Sequence, residues 1–266
     1  MRCAFLDLDH TIIRAGYRQY LIGKPASLLV EKLGISKDRA VHVLREKVRE
    51  IMRQKILDGD YLHAFDWDVV LPEALHQLGV EVDRFDALSL LLEAVRSGET
   101  SVYPDSIEAV KELRRKYRVC LMTGGLSKYQ DAILKELRIE NLFDAVLTTD
   151  RLGILKVRPE AFVKAMKICD CSSGFHTGDS PSHDITGAKG AGLPAFLMVR
   201  EWTHLRDVDP VRRVELTLRD GSLINLFKRD ILYGFIPPEK MIPDAILILL
   251  KEIVPLSRRL LHARSY

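Results

Sequence analysis

Cysteine is scarce in this chain, four in 266 residues, too few for a disulfide scaffold at a length that can bury a full core without staples. Cys3 and Cys120 stand in short apolar runs and read as small buried thiols. Cys169-Asp170-Cys171 has no second neighbouring pair to complete a zinc site. No apolar stretch approaches the roughly 20 residues of a membrane span, and the N-terminus lacks the cationic, apolar and small-residue succession of a signal peptide. These shortages point to a reducing, cytoplasmic setting without a membrane partner. A charge excess is missing as well: 40 Lys and Arg against 37 Asp and Glu leave +3, too little and too evenly spread to argue for nucleic acid. Internal repeats and low-complexity segments are absent. The remaining composition, 47% hydrophobic and 29% charged, is that of a globular protein.

Against that background one stretch stands out, Phe5-Leu6-Asp7-Leu8-Asp9-His10-Thr11. In an extended segment residues i and i+2 share a face, so Asp7 and Asp9 converge on one reacting atom if a strand ends there. One carboxylate could attack while its neighbour moves the proton. Two further apolar runs end in polar groups: Val119 to Met122 runs into Thr123-Gly124-Gly125, and His176-Thr177-Gly178 runs into Asp179, with Asp184 shortly after. Between them lies Lys156, followed by Pro159, Glu160 and Phe162.

Three strand ends and one lysine in this order resemble the four signature motifs of the haloacid dehalogenase-like hydrolase superfamily. The resemblance implies that Asp7 is the nucleophile, taking a phosphoryl group as an aspartyl phosphate, and that Asp9 is the general acid and base. It implies that Thr123 and the N–H of Gly124 hold phosphate oxygens, and that the Lys156 ammonium offsets charge on the nucleophile and the transferring group. Asp7, the Asp9 carbonyl and Asp179 would ligate Mg²⁺, with Asp184 reaching the metal through water or orienting Lys156. The dehalogenases of the superfamily have no carboxylate two residues after the nucleophile, because halide leaves without a proton. Asp9 therefore favours phosphoryl chemistry. His10 stands where glycine is commonest and Val157 where a proline usually follows the lysine, while Pro159 and Phe162 keep the register that selects Lys156 over Arg158. Histidine ligation of a metal by His10, His176 and His183 is disfavoured, since the carboxylates already make an oxygen site.

The expected fold class is α/β, a Rossmann-like doubly wound parallel sheet with an inserted helical cap. Residues 1–15 and 101–266 would form the core, with strands at 2–6, 117–122, 144–149, 173–177 and 194–199. Residues 16–100 would form the cap, which in the superfamily closes over the active site. Within it, Val41, Leu44, Val48 and Ile51 recur at helical spacing after Ser36, a candidate N-cap. Arg14, Tyr17, Arg18, Lys24, His63 and Trp67 are candidates for substrate contact, each weighed against plain solvation or packing. Asp105 and Asp150 read as an N-cap and a strand-end turn. From about Asp207 the simplest expectation is a hairpin turning at Asp220-Gly221, then an apolar helix over 246–253 and a basic tail of Arg258, Arg259, His262 and Arg264, a solvated face or a homo-oligomer contact. The expected activity is hydrolysis of a small phosphorylated metabolite. The alternatives are a phosphotransferase or mutase with the same residues, or a non-catalytic interaction protein.

Overall fold

A computed structural model describes residues 1–82 and 84–263. The apolar runs that precede the acidic motifs form its strands. These are β1 (Arg2–Leu6), β2 (Ile13–Ala15), β3 (Thr100–Val102), β4 (Arg118–Met122), β5 (Ala145–Leu147), β6 (Ser173–Gly178), β7 (Ala195–Met198) and β8 (Ala245–Leu247). A six-stranded sheet runs in the order β5-β4-β1-β6-β7-β8 with every pair parallel. Such a sheet is buried on both faces, so its strands are continuously apolar instead of alternating. Cys3 and Phe5 join the core on one face with Phe162 of the helix Pro159–Ile168, and the Phe5 and Phe162 rings meet edge to face at 6.4 Å. On the other face Phe175 packs against Tyr117 at 5.2 Å and Phe196 at 5.6 Å. Burial of each phenyl ring contributes roughly 1.5–3 kcal/mol.

The described chain falls into two compact units, one of residues 1–14, 102–124 and the described residues from 139 on, and the other of the described residues within 15–101 and 125–138. The first contains the six-stranded sheet. The second is helical, and its longest helix, Lys37–Leu57, starts where Ser36 accepts the Arg39 N–H and buries Leu44, Val48 and Ile51. It ends near Gly59, whose φ of +80° an L side chain rarely adopts. This unit also holds the helix Ser127–Glu136, which the sequence reading puts in the core. The reason is polar. The buried Tyr129 hydroxyl bonds Asp66 at 2.7 Å and Asp68 at 2.8 Å, and Lys128 pairs with both carboxylates.

Beyond residue 207 the expected hairpin is corrected to two helices, Pro210–Arg219 and Ser222–Phe227, joined at Gly221 with φ +78°. Asp209 caps the first helix through the Val211 N–H and Pro210 takes its first turn. Val214 and Leu218, four apart, pack on the core. The apolar run expected as a helix over 246–253 instead supplies β8, added in register beside β7, and the helix starts only at Ile253. A short buried apolar run satisfies either period, and pairing with β7 decides it. Asp105 does not cap its helix with its side chain but binds Arg200 at 2.9 Å, and Asp150 lies inside the short helix Thr149–Leu152. Arg259 of the basic tail pairs with Asp209, and Arg264 lies outside the described residues. Cys3, expected as a free thiol, is bonded to Cys171.

Arg213 ties this C-terminal segment to the sheet. Only 1% exposed, it donates to the carbonyls of Leu205, Arg206 and Ile246 and to both oxygens of Glu252 at 2.8 and 2.9 Å. Burial alone would raise the Glu252 pKa, but the Arg213 hydrogen bonds and the N–H groups of Ile248 and Leu249 outweigh it and hold the carboxyl below its ordinary value. A carboxyl depressed in the folded state adds stability above its unfolded pKa and loses it as pH falls through the folded one. Glu252→Gln should therefore cost about 2–3 kcal/mol at pH 7. In urea unfolding at several pH values, the gap to wild type should close below about pH 4.

Candidate active site

Asp7 is the first residue beyond β1, and its N–H continues the ladder to the Thr177 carbonyl at 2.9 Å. Asp179 follows β6 in the same way, and Thr123 follows β4, donating its N–H to Leu147 at 2.9 Å. Chain connections from β1 run toward β4 and those from β6 toward β7, so Asp7 and Asp179 flank the point where the strand order reverses, the crevice in which open α/β sheets bind ligands. Every residue of the expected site lies in the first unit.

Lys156 organises the group. It is 5% exposed and its ammonium donates to Asp7, to Asp184 at 2.7 Å and to the Met122 carbonyl at 3.4 Å. Burial works against the ammonium, yet Asp184 and Asp7 outweigh it and raise the Lys156 pKa. Asp7 itself, 3% exposed, is pushed well above the usual carboxylate range by burial and by the charges of Asp184, Asp179 and Asp9, against the opposing pull of Lys156. Asp184 is fully buried, yet Lys156 and His176 hold it low.

Both Asp184 oxygens are engaged. Oδ1 receives Lys156 and His176 Nε2, each at 2.7 Å, and Oδ2 receives the Ser180 N–H at 2.8 Å. Burial lowers the His176 pKa against the pull of Asp184, and the tautomer that donates from Nε2 is assigned from this contact. Two glycines make the close approaches possible. A Cβ at Gly178 would lie 2.2 Å from the Asp184 carboxyl carbon, and one at Gly187 would lie 1.9 Å from the Lys156 carbonyl oxygen.

Oxygens of Asp7, Asp179 and Asp184 lie within 4.8 Å of one another. The charges of Asp184, Asp179 and Asp9 all act on Asp7, and these carboxylates make a hard, electron-rich donor set that fits a small divalent cation. Asp9 is 6% exposed, and His10 after it takes φ +55°, turning the chain sharply behind the two acids. Gly124 is half-buried, and its carbonyl is fixed by the Thr149 hydroxyl at 2.8 Å.

Arg14 and Arg18 are exposed. Tyr17 is buried, its N–H on the Thr100 hydroxyl, while Lys24 pairs with Glu93 and His63 with Asp60. Trp67 opens the helix Trp67–Gln77.

Sequence reasoning weighed His176 only as a disfavoured metal ligand, whereas its ring supports Asp184. Two further supporting residues were passed over. Asp230, 9% exposed, accepts from the Ser180 hydroxyl at 3.1 Å and the Ser182 N–H at 3.0 Å and so fixes the loop after Asp179. Arg200 donates to the Thr11 carbonyl at 2.6 Å and lies 3.7 Å over the Tyr103 ring, bracing the loop after Asp9. Nothing in the local pattern around 200 or 230 marks either one.

A model of the haloacid dehalogenase-like hydrolases matches residues 1–192, and the chain belongs to that family of enzymes. Glyceraldehyde 3-phosphate phosphatase of Methanothermobacter thermautotrophicus is 24% identical over 208 residues, 77% of this chain and 88% of that protein. The (S)-2-haloacid dehalogenase of Xanthobacter autotrophicus is also 24% identical, over 65% of this chain and 74% of its own length. Among solved structures, a phosphatase of the same family from Thermococcus onnurineus superposes with a TM-score of 0.62 at 23% identity, covering 97% of this chain and 98% of its own. That similarity speaks to the fold.

Gly178→Ala should displace the Asp184 carboxylate and lower stability by about 1–3 kcal/mol. Thermal unfolding checks this, and an unchanged midpoint would show that the contact yields freely.

Proposed function

We propose that the chain is a Mg²⁺-dependent phosphatase that hydrolyses a small phosphorylated metabolite in a cytoplasmic setting. The observation that carries this reading is Asp9, a second buried acid two residues beyond Asp7 whose charge reaches it. Similarity to phosphatases and to a dehalogenase is comparable, so the choice rests on that acid. Halide departs unprotonated and needs no such group, whereas an alkoxide leaving group does.

In this reaction a carboxylate oxygen of Asp7 attacks phosphorus in line, and the bond to the ester oxygen breaks as Asp9 gives that oxygen its proton. Asp9 then takes a proton from water, which attacks the phosphorus and frees Asp7. Lys156 opposes the burial that favours the neutral form of Asp7 and balances charge on the transferring oxygens, and Thr123 with the Gly124 N–H holds those oxygens. Asp7, Asp179 and the Asp9 carbonyl would hold Mg²⁺, which when bound neutralises charge on the phosphoryl group. With both oxygens already engaged, Asp184 orients Lys156 instead of joining the ligands directly. In the same reading the helical unit is the cap that selects the leaving group.

Asp7→Asn should cut turnover of an aryl phosphate by at least about a thousandfold while the protein remains folded. Chelation by EDTA should stop the wild-type reaction, and Mg²⁺ should restore it better than Zn²⁺. Halide release from a 2-haloacid without phosphate release from any ester would overturn the proposal.

A further inference from the structure

Four cysteines from three distant stretches of the sequence meet in the core of the first unit, away from the catalytic residues. Cys3 lies four residues before Asp7 along β1, about 13 Å at strand rise, and Cys120 lies three residues before Thr123 on the neighbouring β4. The other two come from the end of the helix Pro159–Ile168. There Asp170 takes φ +49°, and the N–H groups of Asp170 and Cys171 return to the carbonyls of Lys167 and Met166 at 3.2 and 2.9 Å. This is a Schellman-type helix end, and it brings both Cys169 and Cys171 to the sheet.

The sulfurs of Cys3, Cys120 and Cys169 are all within 4.8 Å of one another, and all three residues are fully buried. Cys171, half-buried, is joined to Cys3, and Cys120 donates to Cys169 at 2.8 Å. A tetrahedral ion with metal–sulfur bonds of about 2.3 Å separates its sulfurs by about 3.8 Å, within the reach of this cluster. We propose that Cys3, Cys120, Cys169 and Cys171, once reduced, form a tetrathiolate site for Zn²⁺.

The chemistry of the donors selects the ion. Four soft sulfurs in a closed tetrahedral set suit zinc and exclude Mg²⁺ or Ca²⁺, which take oxygen ligands. The site leaves no open position for substrate, so its role is to cross-link two strands to the helix end. Four thiolates on one Zn²⁺ carry a net charge of −2. A neighbouring cation answers it: Arg118 lies opposite Cys3 in the β1–β4 register and has a buried Nε–H without an acceptor among the described residues. Conversion from the bonded state balances simply. A dithiol gives two electrons and two protons to the Cys3–Cys171 bond and is itself oxidised to a disulfide, and the four resulting thiols release four protons as they take up Zn²⁺.

The test uses the whole chain, reduced with a dithiol, stripped of metal and titrated anaerobically with Co²⁺ as the probe. The expected result is one equivalent bound with intense thiolate-to-cobalt absorption and tetrahedral d–d bands, both erased by adding Zn²⁺. Asp7→Asn should leave these bands intact, which separates this site from the carboxylate one. Cys169→Ser should abolish them. Should that core variant fail to fold, Cys171→Ser, at the half-buried position, should weaken binding at least about tenfold. Absence of the thiolate band in protein whose four thiols all react with an alkylating agent after denaturation would overturn the proposal. So would recovery of a second disulfide, Cys120–Cys169, that the dithiol does not open in the folded protein.

Discussion

The ammonium of Lys156 holds two buried carboxylates, Asp7 and Asp184, and the rest of the site depends on that contact. Removing both acids from water costs several kcal/mol each unless a cation and hydrogen bonds replace the lost solvation. The two partners share the lysine unequally. Asp184 has three N–H donors and is held ionised, whereas Asp7 accepts from Lys156 among opposing acids and is driven toward its neutral form. The nucleophilic role proposed for Asp7 needs the ionised form, which a cation bound beside it would favour.

The sheet supplies the geometry at little conformational cost. Parallel strands β1, β4 and β6 all end at one edge, and the first residue past each end is Asp7, Thr123 or Asp179. Asp7 and Thr123 are thus fixed by a backbone ladder rather than by a loop. Close packing does the remainder: absent side chains at Gly178 and Gly187 admit Asp184 and the Lys156 backbone to distances that any Cβ would forbid. Behind the site, Arg200 and Asp230 anchor the loops after Asp9 and Asp179 to segments much later in the chain.

Lys156 lies between two helices and was picked out only by the family resemblance, whereas Asp7, with Asp9 two residues on, Thr123 and Asp179 were legible because strand-end chemistry is local: an apolar run followed by a polar group marks its own position. Five strands were legible for the same reason. The C-terminal segment was not, because Val214, Leu216 and Leu218 fit a strand as well as a helix, and only the buried Arg213 and Thr217 on the same helical side reveal the true period. The run at 246–250 is apolar throughout and carries no period at all. Neither the bond between Cys3 and Cys171 nor the placement of Ser127–Glu136 with the helical unit could be read locally. Each rests on contacts spanning tens to more than a hundred residues.

The central claim is that Asp7 carries the phosphoryl group between substrate and water. Its most direct test is rapid acid quenching during turnover of a phosphate ester, followed by borohydride reduction and peptide mass analysis. An aspartyl phosphate at position 7 would be recovered there as homoserine, and the account predicts that conversion at Asp7 alone. Steady release of phosphate with Asp7 unmodified, or with the conversion at another carboxylate, would contradict it.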